Sequence, residues 1–372
     1  MPLPFKVPQE ALFFHHFLEN LAGMLDMTDI QRHFAVDVPE RALSCPVLLD
    51  ALMAFAGRHL SRTSASESDS AIADHYHYHC VSRMIPMLNE KELVADETLF
   101  AAAVILRTYE ETNETHMGAG LERHLTGTSV FANAQLEFHT WGGLGHAAFW
   151  VFVRQDIYMS LLSQQPLKVD LAGWEERLSF DLGFDPTTDC TWANRMIWIV
   201  AEIVGFCFGD RNTSNWESAR DKVETWDLSR PKSFDPILYV ERDPDAKRYF
   251  PEIRLGHPWH VTGIQYYYMA KLLLATCYPH VPKIGLGYQR AQRTMCDEIL
   301  RNAEAVCGIA FATSLPAARL TACTAIIACG PWFVHRPREE QEQVLELLRR
   351  AEAESAYPTG SLARGLREEW EW

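Results

Sequence analysis

No two cysteines in this 372-residue chain stand in a C-x-x-C spacing. The usual zinc-finger and dithiol-redox patterns are thereby excluded. The nine cysteines are scattered, odd in number and mostly set in apolar runs. They are expected to be core thiols of an intracellular protein rather than a disulfide framework. Missing too are G-x-S-x-G, H-E-x-x-H, the phosphate-cradling P-loop and a G-x-G-x-x-G that opens a helix, so the common hydrolase, zinc-protease and nucleotide-binding signatures have no counterpart. Positive charge is scarce, with 34 Lys and Arg against 49 Asp and Glu and a formal net charge of -15. Gripping a duplex depends on cations that neutralise phosphates, so direct DNA binding is not expected. No basic-then-apolar leader opens the chain. The longest apolar stretches, such as 196–208 with Glu202 inside it, are expected to fall short of a membrane span. Clean two-residue alternation is rare, which predicts few strands or none.

What is present is helical periodicity. Leu12, Phe13, Phe17, Leu18, Leu21 and Leu25 share one side of a helix expected over 10–26. The same spacing predicts helices over 45–60, 71–88, 96–111, 121–137 and 144–163, then 192–208, 216–228, 259–277, 289–313, 317–333, 338–354 and 361–370. Ser214-Asn215-Trp216-Glu217 has the form of a capping box, Gly209 is placed to end a helix, and Pro337 to begin one. Weak boundaries fall at the Ser-rich stretch 61–70, at 166–186 and at the proline-rich 231–258. The expected fold is all-α, a superhelical multi-helix bundle forming one large domain over 1–372, of one or two lobes.

Few local patterns suggest chemistry. His75 and His79 share a helix face in His75-Tyr76-His77-Tyr78-His79-Cys80, but no acidic or histidine partner completes a ligand set, so polar-aromatic packing is expected and no metal. Asp181, Asp185 and Asp189 are spaced four apart, yet Pro186 breaks any helix that would gather them on one face. Arg154 and Asp156 interrupt the apolar run 144–163 and must be paired if buried, with Arg195 and Glu202 the expected partners. Trp192, Asn194 and Arg195, with Trp259 and Tyr267, combine aromatic surface with hydrogen-bonding groups in a way that suits a ligand pocket or a satisfied core. His257 and His260 flank Pro258-Trp259 at a helix start, where an imidazole can hold or protonate a ligand oxygen.

Several blocks occur in a consistent order: Tyr78-His79-Cys80, Ile105 to Glu111, His124-Leu125-Thr126-Gly127, Ala148-Phe149-Trp150, Arg154 to Tyr158, and Trp192 to Met196. Pro251-Glu252-Ile253, His257 to His260, Cys329-Gly330-Pro331-Trp332 and Leu366 to Trp370 follow. Together they resemble the regulatory domain of fungal transcription factors of the zinc binuclear cluster type. The resemblance implies an all-helical domain that transmits or restrains activation and responds to a small ligand. Such factors open with six cysteines that hold two zincs, whereas only Cys45 and Cys80 precede Cys190 here. The expectation is therefore a transcriptional regulator without direct DNA reading, working from the nucleus or cytoplasm and needing no cofactor. Its partners would be a small apolar metabolite, another protein or a second copy of the chain, with Trp192, Asn194, Arg195, Trp259 and Tyr267 as the ligand set. The alternative is a helical-pocket enzyme of cyclase or isomerase type, with His257, His260, Arg154 and Asp156 as its catalytic set.

Overall fold

The computed structural model describes residues 5–64, 67–113, 119–134, 142–178, 188–209, 213–279 and 284–372, with side chains described outside 67–68, 119–126 and 175–178. The helical periodicity is realised almost element by element. The chain divides into two compact units, Met1–Asp156 with Lys168–Ser179 and Ala353–Pro358, and Ile157–Leu167 with Phe180–Glu352 and Thr359–Trp372.

In the first unit α1 (Pro8–His16) passes through a π-turn (Phe17–Leu21) into α2 (Ala22–Leu25). The wider turn keeps Phe13, Phe17 and Leu21 all buried. α3 (His33–Ala42) lies where no helix is expected from periodicity. It contains Pro39 and starts after Arg32, whose φ is 57°. Acidic side chains supply its start: Asp26 accepts from the amides of Phe34 and Ala35 at 2.9 and 3.0 Å, and Asp29 from that of His33 at 2.7 Å. α4 (Pro46–Thr63) is buried along most of its length and packs against α1, α5 (Glu67–Met87) and α7 (Glu97–Glu111), with the short α6 (Lys91–Val94) between the last two. Asp96 caps α7 through the amides of Thr98 and Leu99. α8 (Ala119–Ala134), α9 (Gly143–Ser163) and α10 (Leu171–Leu178) follow.

The second unit takes in the end of α9 from Ile157 and then α11 (Asp189–Phe208), which is capped by the Thr188 hydroxyl and ended at Gly209 as expected. α12 (Thr213–Ser229) begins one residue before Ser214. β1 (Leu238–Val240) pairs antiparallel with β2 (Glu252–Arg254) across the proline-rich interruption. α13 (Pro258–Thr276), α14 (Tyr288–Ala312) and α15 (Pro316–Cys329) come next, then a 3-10 turn (Gly330–His335), α16 (Arg338–Ser355) and α17 (Gly360–Glu369).

α13 is the centre of this unit, packed on α11, α12, α14 and α15. Its buried Gln265 donates to the carbonyls of Val306 and Ala318 at 3.2 and 2.9 Å, tying α14 and the start of α15 to it. Pro316–His335 is long and apolar enough to cross a membrane by length and composition, against the expectation that no stretch reaches that length, but 61% of its apolar window is buried inside the fold, as in a core helix.

Candidate functional site

A groove of about 900 Å3 lies in the second unit, where α12 and α14 rise on either side of α13. That volume suits a small organic molecule. Helical spacing builds each wall. α13 presents Tyr267, Lys271, Leu274, Ala275 and, just past its end, Tyr278. α12 turns Trp216, Arg220, Val223 and Asp227 toward the same space, and α14 adds Arg290, Thr294, Met295 and Glu298.

Hydrogen bonds fix the aromatic lining. The Trp216 indole donates to the Leu274 carbonyl at 3.0 Å and its ring meets Tyr278 edge to face at 5.0 Å. The Tyr267 hydroxyl donates to Asp227 at 3.0 Å, and burial beside that carboxylate pushes the phenol well above its ordinary value, so it stays a donor. Lys271 and Arg220 lie over the rings of Tyr267 and Trp216 at 5.4 and 5.5 Å. The walls thus carry three cations and three anions (Glu224, Asp227 and Glu298) around an apolar floor. They can hold a molecule with an apolar body and polar ends, and no histidine, cysteine or serine is among the described lining residues.

Of the five residues read from sequence as ligand-binding, Tyr267 lines the groove. Trp192 lies behind it: its carbonyl accepts from the Trp226 indole at 2.9 Å, and the Trp226 ring stacks on Tyr267 at 5.8 Å. Arg195 sits over the Trp192 ring at 5.0 Å, with burial holding its guanidinium below the ordinary value. Asn194 is buried, and its side-chain oxygen has no hydrogen-bond partner among the described residues. Trp259 stacks on His257 at 4.7 Å near the start of α13, away from the lining set. Trp216, Arg220 and Lys271 were missed as site residues, although their spacing on α12 and α13 is the signal that would have grouped them.

The four residues of the catalytic alternative divide between the units. His260, 3% exposed, sets its Nε2 2.8 Å from Asp189 on α11, and its Nδ1 is buried without a hydrogen-bond partner among the described residues. His257 is the N-cap residue of α13 but makes no side-chain cap. Arg154 donates to the Leu25 carbonyl at 2.8 Å and to the Thr28 hydroxyl at 3.2 Å. Asp156, 1% exposed, accepts from the amides of Lys168 and Val169, both at 2.8 Å. The Asp156 carboxylate is thus satisfied by backbone amides, and Glu202 meets Lys222 at 2.7 Å. A carboxylate one turn from the apolar centre of α9 is cheaper to satisfy from the adjacent loop than from a long side chain.

His75 and His79 do share a face, their rings 4.4 Å apart, while His77 stacks on Tyr109 at 4.6 Å. No group of three or more metal-ligating side chains forms among the described residues. Asp181 and Asp185, and the side chains of His124, Leu125 and Thr126, lie outside them.

A family model for the fungal specific transcription factor domain matches residues 12–204, just over half of the 372-residue chain. The matched span holds the sequence blocks from Tyr78 to Met196, whereas the later blocks and the groove lie beyond it. No curated protein and no solved structure matches the chain.

Proposed function

The chain belongs to the fungal specific transcription factor domain family, and from that premise we propose that it regulates transcription in response to a small amphipathic metabolite held between α12, α13 and α14. A transcription-regulatory role follows from the family; the ligand is our reading. The observation that carries it is the groove of about 900 Å3 with Trp216 and Tyr267 on its walls and cations and anions at its edges. A regulator must bind its signal differently in two states. Here α12 has the sparser packing on α13 and α14 the more extensive, so a ligand that bridges α12 and α14 favours one setting of α12. Site-specific DNA contact is left to another protein or another segment, since the net charge of -15 opposes approach to phosphates.

The test is a reporter strain of a fungus in which the chain is tethered to a heterologous DNA-binding domain. The wild-type chain is expected to change reporter transcription. Thr294→Trp and Met295→Trp, which fill the groove from the more exposed side of α14, are expected to remove that change at unaltered protein level and helical circular dichroism. Groove-filled variants that regulate as the wild type does would overturn the ligand reading. A deletion strain that loses a metabolite while its transcripts stay unchanged would overturn the regulatory one.

A further inference from the structure

The geometry points to a modification site: Cys207 and Cys277 form a peroxide-oxidisable pair that closes into a disulfide between α11 and α13. This goes beyond the groove reading and stands without it. Cys207 is the penultimate residue of α11 and Cys277 caps the end of α13, 70 positions later. Their sulfurs are 2.6 Å apart, and both residues are thiols. A disulfide needs about 2.05 Å between sulfurs, so closure asks for a fraction of an ångström of movement rather than a rearrangement.

The two sulfurs are unequal in access. Cys207 is buried and Cys277 half-buried, which assigns Cys277 as the first to react. Its sulfur attacks one oxygen of hydrogen peroxide, the O–O bond breaks, and a sulfenic acid and one water result. The Cys207 sulfur then attacks that of Cys277, the S–O bond breaks and the second water leaves. Two thiols and one peroxide become one disulfide and two waters, two electrons passing from sulfur to oxygen. In an intracellular protein such bonds are transient and redox-sensing rather than structural. The buried thiols do not compete well. Cys80, Cys307, Cys323 and Cys329 are buried, and desolvation pushes Cys323 and Cys329 up to about 12, which keeps the reactive thiolate scarce. Cys277 immediately precedes Tyr278 and follows Leu274, the two residues that position Trp216, so the bond would anchor that wall of the groove to α11.

The experiment uses the full chain. After removal of reductant it is titrated with hydrogen peroxide, remaining thiols are alkylated, and trypsin is added. Cleavage after Lys and Arg releases Cys207 in peptide 196–211 and Cys277 in peptide 272–283, each as its single cysteine. The expected product is these two peptides joined, two hydrogens lighter than their sum and separated again by dithiothreitol. In denaturant the selectivity for this pair should vanish. Recovery of both peptides alkylated while the half-exposed Cys45 or Cys296 is oxidised would overturn the proposal, as would Cys277 ending as a sulfinic acid without the link. In Cys207→Ser the expected result is sulfinic acid at Cys277, and an equal yield of some other Cys277 disulfide would overturn the pairing. The wild-type mapping decides the matter even where that variant does not fold.

Discussion

The carboxyl of Asp156 shows how one residue couples burial to pH. Desolvation pushes it up to about 6 despite two amide donors and nearby cations. Its folded value lies above the ordinary 3.8, so its contribution to stability is full below pH 3.8 and is lost as pH rises through about 6. His59 and His146 act in the opposite sense. Burial lowers both from 6.5 to about 4, so their contributions are present above pH 6.5 and lost as pH falls through about 4. His146 accepts from the Trp150 indole at 2.9 Å, a role open only to a neutral imidazole nitrogen. Asp156→Asn keeps an acceptor but cannot ionise, so urea midpoints at pH 4.5 and 7.5 should differ less favourably toward acid than in the wild type. Asp156→Ala leaves the amides of Lys168 and Val169, the second of them buried, without their acceptor and should cost about 2 kcal/mol at acidic pH. An unchanged midpoint for the alanine variant would mean that the loop 168–169 finds other partners.

At the scale of elements, close approach is as decisive as periodicity. Gly308 lies on α14 where the backbone of Pro251 crosses it, and a Cβ there would stand 2.0 Å from the Pro251 carbonyl oxygen. Gly308→Ala should destabilise the second unit by about 2 kcal/mol or more, read as a fall in thermal midpoint, because backbone rather than a pliable side chain must yield. The ion cluster at the same end of α14 makes a related point. Arg242 and Arg336 both reach Glu304, at 2.7 and 2.5 Å, and both also contact Glu340 on α16. Burial raises the Glu304 carboxyl, opposed by the two guanidinium groups. From the sequence Arg336 reads as solvated helix surface, since a charge on an amphipathic helix does so until its partners are known. The helix α3 escaped for a similar reason: its start depends on Asp26 and Asp29 folding back onto its amides, and neither stands at the position before the helix where a cap is sought.

For the whole molecule the charge balance governs what it can touch. With 49 acids against 34 bases, the chain alone should leave duplex DNA unshifted in a gel at physiological salt, at protein concentrations up to about 100 µM. Retardation of DNA by the untethered chain below that range would show that a local cationic surface outweighs the net charge.

The amino-acid order by itself determined the helical class, nearly every long helix within a few residues, and the family, because apolar spacing and ordered motif blocks are local properties that survive without coordinates. Tyr267, expected from the sequence in a ligand set, lines the groove. Only the tertiary structure decided that Tyr267 lines one groove with Trp216 and Lys271 while Trp192 stands behind them, that Asp156 is held by backbone amides, and that Cys207 meets Cys277 across 70 positions. Each of those is a contact between segments distant in sequence or set by a loop, and such contacts are selected by packing of whole faces rather than by any residue's neighbours along the chain.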